Sequence, residues 1–163
     1  MASIEQSIDV DVPVRTAYDQ WTQFEEFPAF MEGVKEVRQL DDKHLHWRAE
    51  VLGKDVEWTA DIVQQIPDER ITWRSTSGAK NGGTITFVPQ GAAKTKLQLR
   101  IEYEPEGAAE STASAIGLVS QRVAGDLARF KDFIEKRGRA TGEWRGEIHG
   151  QDVTRRASKL SGM

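Results

Sequence analysis

The 163-residue sequence contains no cysteine, so no disulfide can staple its fold. That absence is compatible with a reducing compartment, and a cytoplasmic location is expected. No apolar run approaches the roughly 18 residues of a membrane span, and the first residues, MASIEQSIDVDV, carry neither the basic nor the apolar part of a leader. Stable membrane insertion is therefore not expected. An excess of positive charge is missing too, since 22 Lys and Arg face 26 Asp and Glu for a net charge of −4. With no compact Lys/Arg cluster interleaved with aromatics, nucleic acid is not expected as a partner. P-loop spacing, a nucleophile elbow and a Cys/His zinc set are all absent, so neither a metal nor a cofactor is expected. A chain of this length buries roughly 70% of its unfolded surface, enough for one domain without staples.

What is present is one long helical pattern. Across residues 114–136, Ile116, Val119, Val123, Leu127, Phe130 and Ile134 recur at three- and four-residue spacing. Gln121, Arg122, Arg129, Asp132 and Lys136 are placed on the opposite, solvent side. Lys131, Lys136 and Arg137 suit the carbonyl end of the helix dipole, and Gly138 can take a left-handed cap. Ser111, Thr112 and Ser114 are all able to cap the start.

Before this helix the period is mostly two. Ile4, Ile8, Val10 and Val12 alternate with polar residues as a half-buried strand, with Gln6 the polar residue on its inner side. Pro13 opens a short helix carrying Val14, Ala17, Tyr18 and Trp21. The aromatic-rich residues 24–31, interrupted by Pro28, form a bent helical turn. Six further strands then alternate as a meander between residues 34 and 103. Asp41-Asp42-Lys43, Gly53-Lys54-Asp55, Pro67-Asp68-Glu69 and Asn81-Gly82 are read as turns. The expected fold class is α+β: a seven-stranded antiparallel sheet with two short helices after its first strand, wrapped around a long C-terminal helix. The domain is placed at residues 1–138. Residues 139–163 are read as a polar, partly disordered tail in which Trp144 and Ile148 are the large apolar residues.

The element order carries a resemblance, together with Val12-Pro13-Val14, Tyr18, Trp21, the run from Phe24-Glu25-Glu26-Phe27-Pro28-Ala29 to Val34, and Trp58-Thr59-Ala60-Asp61-Ile62 followed by Pro67-Asp68-Glu69-Arg70-Ile71-Thr72-Trp73. The chain resembles the polyketide cyclase/dehydrase (SRPBCC) branch of the START-like, birch-pollen-allergen-like superfamily over about residues 3–137. It is similar to coenzyme-Q-binding START-domain proteins. The resemblance implies a helix-grip fold whose cavity, between sheet and long helix, takes lipids, sterols, quinones or polyketides. Some relatives catalyse aromatisation and cyclisation, and others only bind.

Strict alternation places Trp47, Trp58, Trp73, Phe87, Leu99 and Tyr103 on the inner face of the sheet, opposite Val119, Val123 and Leu127 of the helix. These residues read either as plain core or as the wall of an apolar-aromatic site for flat hydrophobic molecules, with Phe30, Met31 and residues 77–83 as its lips. The inner polar inventory is Gln6, Ser75, Tyr103 and Gln64, none of them a strong base. His44, His46, Arg48, Glu50, Glu57 and Arg74 face outward. His44 and His46 lack a third ligand. Catalysis would need Arg48 or Arg74 re-aimed inward by a bulge to stand beside Tyr103. Binding or carrying a small hydrophobic molecule is thus the first functional expectation, and a polyketide aromatase/cyclase or dehydratase the alternative. A homodimer is left open.

Overall fold

The alternating residues at the start form β1 (Ala2–Val10), which pairs antiparallel along its whole length with the last strand of the meander, β7 (Thr95–Tyr103). A computed structural model describes residues 1–105 and 107–154. After β1 come α1 (Val14–Trp21) and a 3-10 turn, Phe24–Ala29, which holds Pro28. The meander follows as β2 (Val34–Gln39), β3 (His44–Val51), β4 (Lys54–Ile66), β5 (Arg70–Gly78), β6 (Asn81–Pro89) and β7. One turn of helix, α2 (Gly107–Glu110), precedes the long α3 (Ala113–Arg137). The strands are ordered β1-β7-β6-β5-β4-β3-β2, so the chain's first strand closes against its last meander strand and β2 lies at the far edge. This seven-stranded sheet packs on α3 in a helix-grip arrangement.

Among the three candidate caps, Thr112 is the one used, its hydroxyl accepting from the Ala115 amide at 3.1 Å. Gly138 takes the left-handed conformation at φ 70° and closes the other end, as the glycine suggested. Gln6 on β1 donates to the Ser120 hydroxyl at 2.8 Å and so ties the sheet edge to α3.

The interior divides into two zones. Under the C-terminal half of α3, Leu127, Phe130 and Ile134 are buried, Phe130 against Trp21 of α1 and Phe30 at the end of the 3-10 turn. Edge-to-face contacts close this end: Trp21 and Phe30 each lie 5.1 Å from Phe130, and Tyr18 lies 5.3 Å from Phe87. Under the N-terminal half of α3 the sheet and helix separate.

Two expectations need correction. Asn81 and Gly82 are not a turn. The β5–β6 connection runs through Ala79 and Lys80 after Gly78, at φ 80°, while Asn81 and Gly82 already pair with Tyr103 and Glu102. The chain beyond Gly138 also returns to the domain. β8 (Glu147–His149) joins β4 at Gln64 and Gln65, beyond the bulge at residues 62–64 where β3 has ended, and forms a hairpin with β9 (Asp152–Thr154). Ile148 is fully buried there, and Thr141 and Trp144 donate backbone hydrogen bonds to Gln20 and Thr22 at 2.8 and 3.2 Å. Composition hid this, because a polar segment needs only a few apolar and hydrogen-bonding anchors to dock on an exposed strand edge. The expectation of disorder at residues 155–163 lies outside the described residues.

Candidate functional site

A cavity of about 1000 Å³ lies between the sheet and the N-terminal half of α3. Its sheet wall is aromatic. Trp47 and Trp58 sit directly opposite each other on β3 and β4, stacked with ring centroids 5.7 Å apart and planes within 6°. Trp73 on β5 extends the wall, its indole N–H donating to Asn81 Oδ1 at 3.0 Å. Gly83 makes room for that ring: an added Cβ would stand 2.5 Å from Trp73 Cη2 and 2.3 Å from the Arg100 carbonyl oxygen. Leu99 and Tyr103 on β7 continue the lining, and Val119 and Val123 face them from α3. Met31 lies at the lip with Gly33 and Val34.

Eight of the expected wall and lip residues therefore meet around one void: Met31, Trp47, Trp58, Trp73, Leu99, Tyr103, Val119 and Val123. Phe30, Phe87 and Leu127 do not. Each is almost wholly buried in the closed zone, where Phe30 packs on Phe130 and Phe133 and Phe87 packs on Tyr18 and Trp21. Alternation had put Phe87 on the correct face. It could not say at which end of the sheet α1 would cover it.

The polar inventory also changes. Gln6 is spent on Ser120, Ser75 accepts from the Asn81 amide at 3.0 Å, and Gln64 accepts from Arg70 at 2.8 Å. Three buried polar atoms of lining residues have no hydrogen-bond partner among the described residues: Trp47 Nε1, Trp58 Nε1 and the Tyr103 hydroxyl. Burial, and then the negative charge of Glu110, hold the Tyr103 hydroxyl above the usual phenol range. It is a neutral donor rather than a base.

Charges gather at the mouth. Lys54 pairs with Glu110 at 2.8 Å and Lys80 with Glu104 at 3.7 Å. Arg129 joins Asp126, reaches Glu32 at 3.5 Å and donates to the Phe30 carbonyl at 3.0 Å. Burial holds the Asp126 carboxyl above its ordinary range, against the opposing pull of Arg129 and the Glu32 amide. Arg122 lines the cavity as well. Arg122 and Arg129 had been assigned to the solvent side, and that assignment is corrected; Gln121 borders the opening but is exposed, as assigned. The available signal was spacing, because Val119, Arg122, Val123 and Asp126 follow i, i+3, i+4 and i+7 and share one face.

The arginines considered for catalysis stay outside. Arg48 is half exposed and pairs with Glu36 at 3.4 Å and Glu57 at 3.9 Å, while Arg74 is exposed opposite Asp61. The extra residues are Lys35 in β2, Val63 in β4 and Thr76 in β5, and both arginines remain exposed beside these bulges. His44 contacts Asp41 at 2.7 Å and Asp61 at 3.3 Å, and His46 contacts Glu57 at 3.2 Å, all on the outer face. Among the described residues no group of three or more metal-ligating side chains converges, and no helix is long and apolar enough to cross a membrane.

A bent antiparallel sheet gripping a long helix, with an aromatic void beneath one half of that helix, defines the START-like class. The chain belongs to the family described as polyketide cyclase/dehydrase and lipid transport, which matches residues 10–132. It is 45% identical over 149 residues to an uncharacterized 17.2 kDa protein of Streptomyces lincolnensis, covering 91% of this chain and 99% of that one. Among solved structures it is similar to a protein of Deinococcus radiodurans, with 27% identity, a TM-score of 0.66 and coverage of 84% and 99%. It is also similar in fold to an aromatase/cyclase of a Streptomyces species, with 16% identity, a TM-score of 0.70 and coverage of 87% and 98%.

Proposed function

We propose that this protein binds and carries a small hydrophobic molecule, lipid-, quinone- or polyketide-like, in the cavity between the sheet and α3. The observation that carries the reading is the cavity itself: about 1000 Å³ walled by Trp47, Trp58, Trp73 and Leu99 on one side and Val119 and Val123 on the other. A void of that size lined by apolar groups is poorly used by water and favours an apolar guest. The aromatase/cyclase alternative calls for an acid, base or cation beside Tyr103. The charged group nearest in effect to that hydroxyl is Glu110, itself held by Lys54, and Arg48 and Arg74 stand on the other face of the sheet. Binding without chemistry is therefore the better-supported use.

The test is native mass spectrometry of the purified protein together with titration of Nile red. A co-purifying lipid- or quinone-sized mass, or saturable dye fluorescence that such a molecule displaces, is the expected result. An empty protein that leaves the dye's emission unchanged would defeat the reading.

A further inference from the structure

The mouth of the cavity holds four cationic side chains, and three of them are engaged by carboxylates: Lys54 by Glu110, Lys80 by Glu104, and Arg129 by Asp126 and Glu32. Arg122 is different. It lies in the middle of the cavity-facing stripe of α3, half-buried, one turn from Val119 and one turn from Asp126. Among the described residues it makes no hydrogen bond or ion pair, and Asp126, whose oxygen is taken by Arg129 and the Glu32 amide, feels it only at longer range.

Its guanidinium reaches across the opening to the start of β2. The Nη1 atom stands 2.6 Å from where a Cβ of Gly33 would be, and the Glu50 carbonyl oxygen stands 2.9 Å from the same point. A larger residue at position 33 would displace the arginine, so glycine there leaves it extended over the void. A guanidinium offers five N–H donors in a fixed fork that matches a carboxylate. Half-buried, with none of them used on another described residue, it is less fully hydrated than a surface arginine and gains from an acceptor that a guest supplies.

Resting on the cavity-binding reading above, we propose that Arg122 receives the carboxylate of an acidic amphiphile whose hydrocarbon part fills the cavity. The chain end of the guest lies against Trp47, Trp58 and Trp73, and its head stops at the mouth between α3 and Gly33. Of the five rim carboxylates, four are engaged by Lys54, Lys80 and Arg129, with Arg129 serving two of them, and the fifth, Glu50, belongs to an exposed residue, so among the described residues none is paired with Arg122.

The test compares displacement of Nile red by oleate, oleyl alcohol and methyl oleate, each below its aggregation threshold, from the full-length protein and from Arg122→Gln and Arg122→Lys. The parent is expected to prefer oleate over the alcohol and ester by roughly tenfold, the worth of one hydrogen bond to a charged group. In Arg122→Gln that preference collapses while displacement by oleyl alcohol is unchanged, and Arg122→Lys keeps part of it. Equal affinity of the parent for acid and alcohol overturns the head-group assignment and leaves hydrophobic binding standing. So does an Arg122→Gln variant that weakens all three guests alike. If neither the dye nor the alcohol enters the parent, the cavity-binding reading itself falls, and this inference with it.

Discussion

Arg145 shows how a single side chain can bring a polar segment into a fold. Its guanidinium is nearly buried, pairs with Asp19 of α1 and with Asp68 at 2.7 Å, and lies 5.5 Å from the Tyr18 ring centroid. Burial holds the Asp19 carboxyl above its ordinary range, against the hydrogen bond and charge of Arg145. Desolvation pulls Arg145 down, but Asp68 and Asp19 together hold it above its usual value. Breaking a buried pair by removing one partner typically destabilises by about 3–5 kcal/mol, because the other charge stays uncompensated. Asp19 keeps the exposed Arg15 at 3.7 Å and Asp68 is partly exposed, so Arg145→Ala is expected to lower stability by the low end of that range, about 3 kcal/mol, at pH 7, read from urea midpoints. The sign with pH follows from the remaining acid. A carboxyl whose folded pKa lies above its unfolded one favours the folded state at acid pH and loses that contribution as pH rises through the folded value. Removing Arg145 lifts the Asp19 pKa further, so the difference between variant and parent shrinks at pH 4, where Asp19 can take a proton. A difference as large at pH 4 as at pH 7 would show that packing, not charge, is what Arg145 supplies. None of this was legible in the sequence, since Arg145, Asp19 and Asp68 are far apart along the chain and carry no motif.

At the scale of elements, the sequence spoke clearly wherever one period held. β3, His44–Val51, spans the alternation of Leu45, Trp47, Ala49 and Val51, and α3 extends the expected helix, residues 114–136, by one residue at either end. It spoke less clearly where glycine was present for a neighbour's sake. Asn81-Gly82-Gly83 has the composition of a turn, yet Gly82 and Gly83 lie within β6 opposite Arg74 and Trp73. Gly83 is needed because the Arg100 carbonyl of β7 and the Trp73 ring of β5 both crowd its Cβ position, contacts between strands that no local pattern encodes. Gly83→Val is therefore expected to push Trp73 off its bond to Asn81. Overpacking of this kind costs about 1–3 kcal/mol, so the variant should stay folded by circular dichroism while its melting point drops. Trp73 fluorescence should shift, and Nile red should bind more weakly. Unchanged dye binding with a clear loss of stability would remove Trp73 from the site and leave it a packing residue.

For the whole molecule, the inner face of the sheet was readable, but the division of that face was not. Trp58 and Phe87 both follow from alternation, yet one lines a void and the other is sealed beneath α1, because α1 and the 3-10 turn cover only one end of the sheet. On the proposed carrier reading, an occupant fills the uncovered end, and stability then depends on ligand. A guest that binds only the folded state at a hundred times its Kd adds about 2.7 kcal/mol. Filling the void with protein should remove that dependence. Val119 and Val123 are neighbours one turn apart on α3 and face the cavity, so Val119→Trp combined with Val123→Trp places two indoles in the space of the guest. With about 1000 Å³ to receive them, the indoles need not strain the surrounding side chains. The double variant is expected to melt no lower than the ligand-free parent. If its affinity falls a hundredfold, the guest concentration that stabilised the parent contributes only about 0.4 kcal/mol. Thermal shift with oleate or Nile red reads the difference directly. A double variant that is stabilised by the guest as much as the parent would mean that the guest binds elsewhere on the molecule, and that the space beneath the N-terminal half of α3 is not where ligand and fold are coupled.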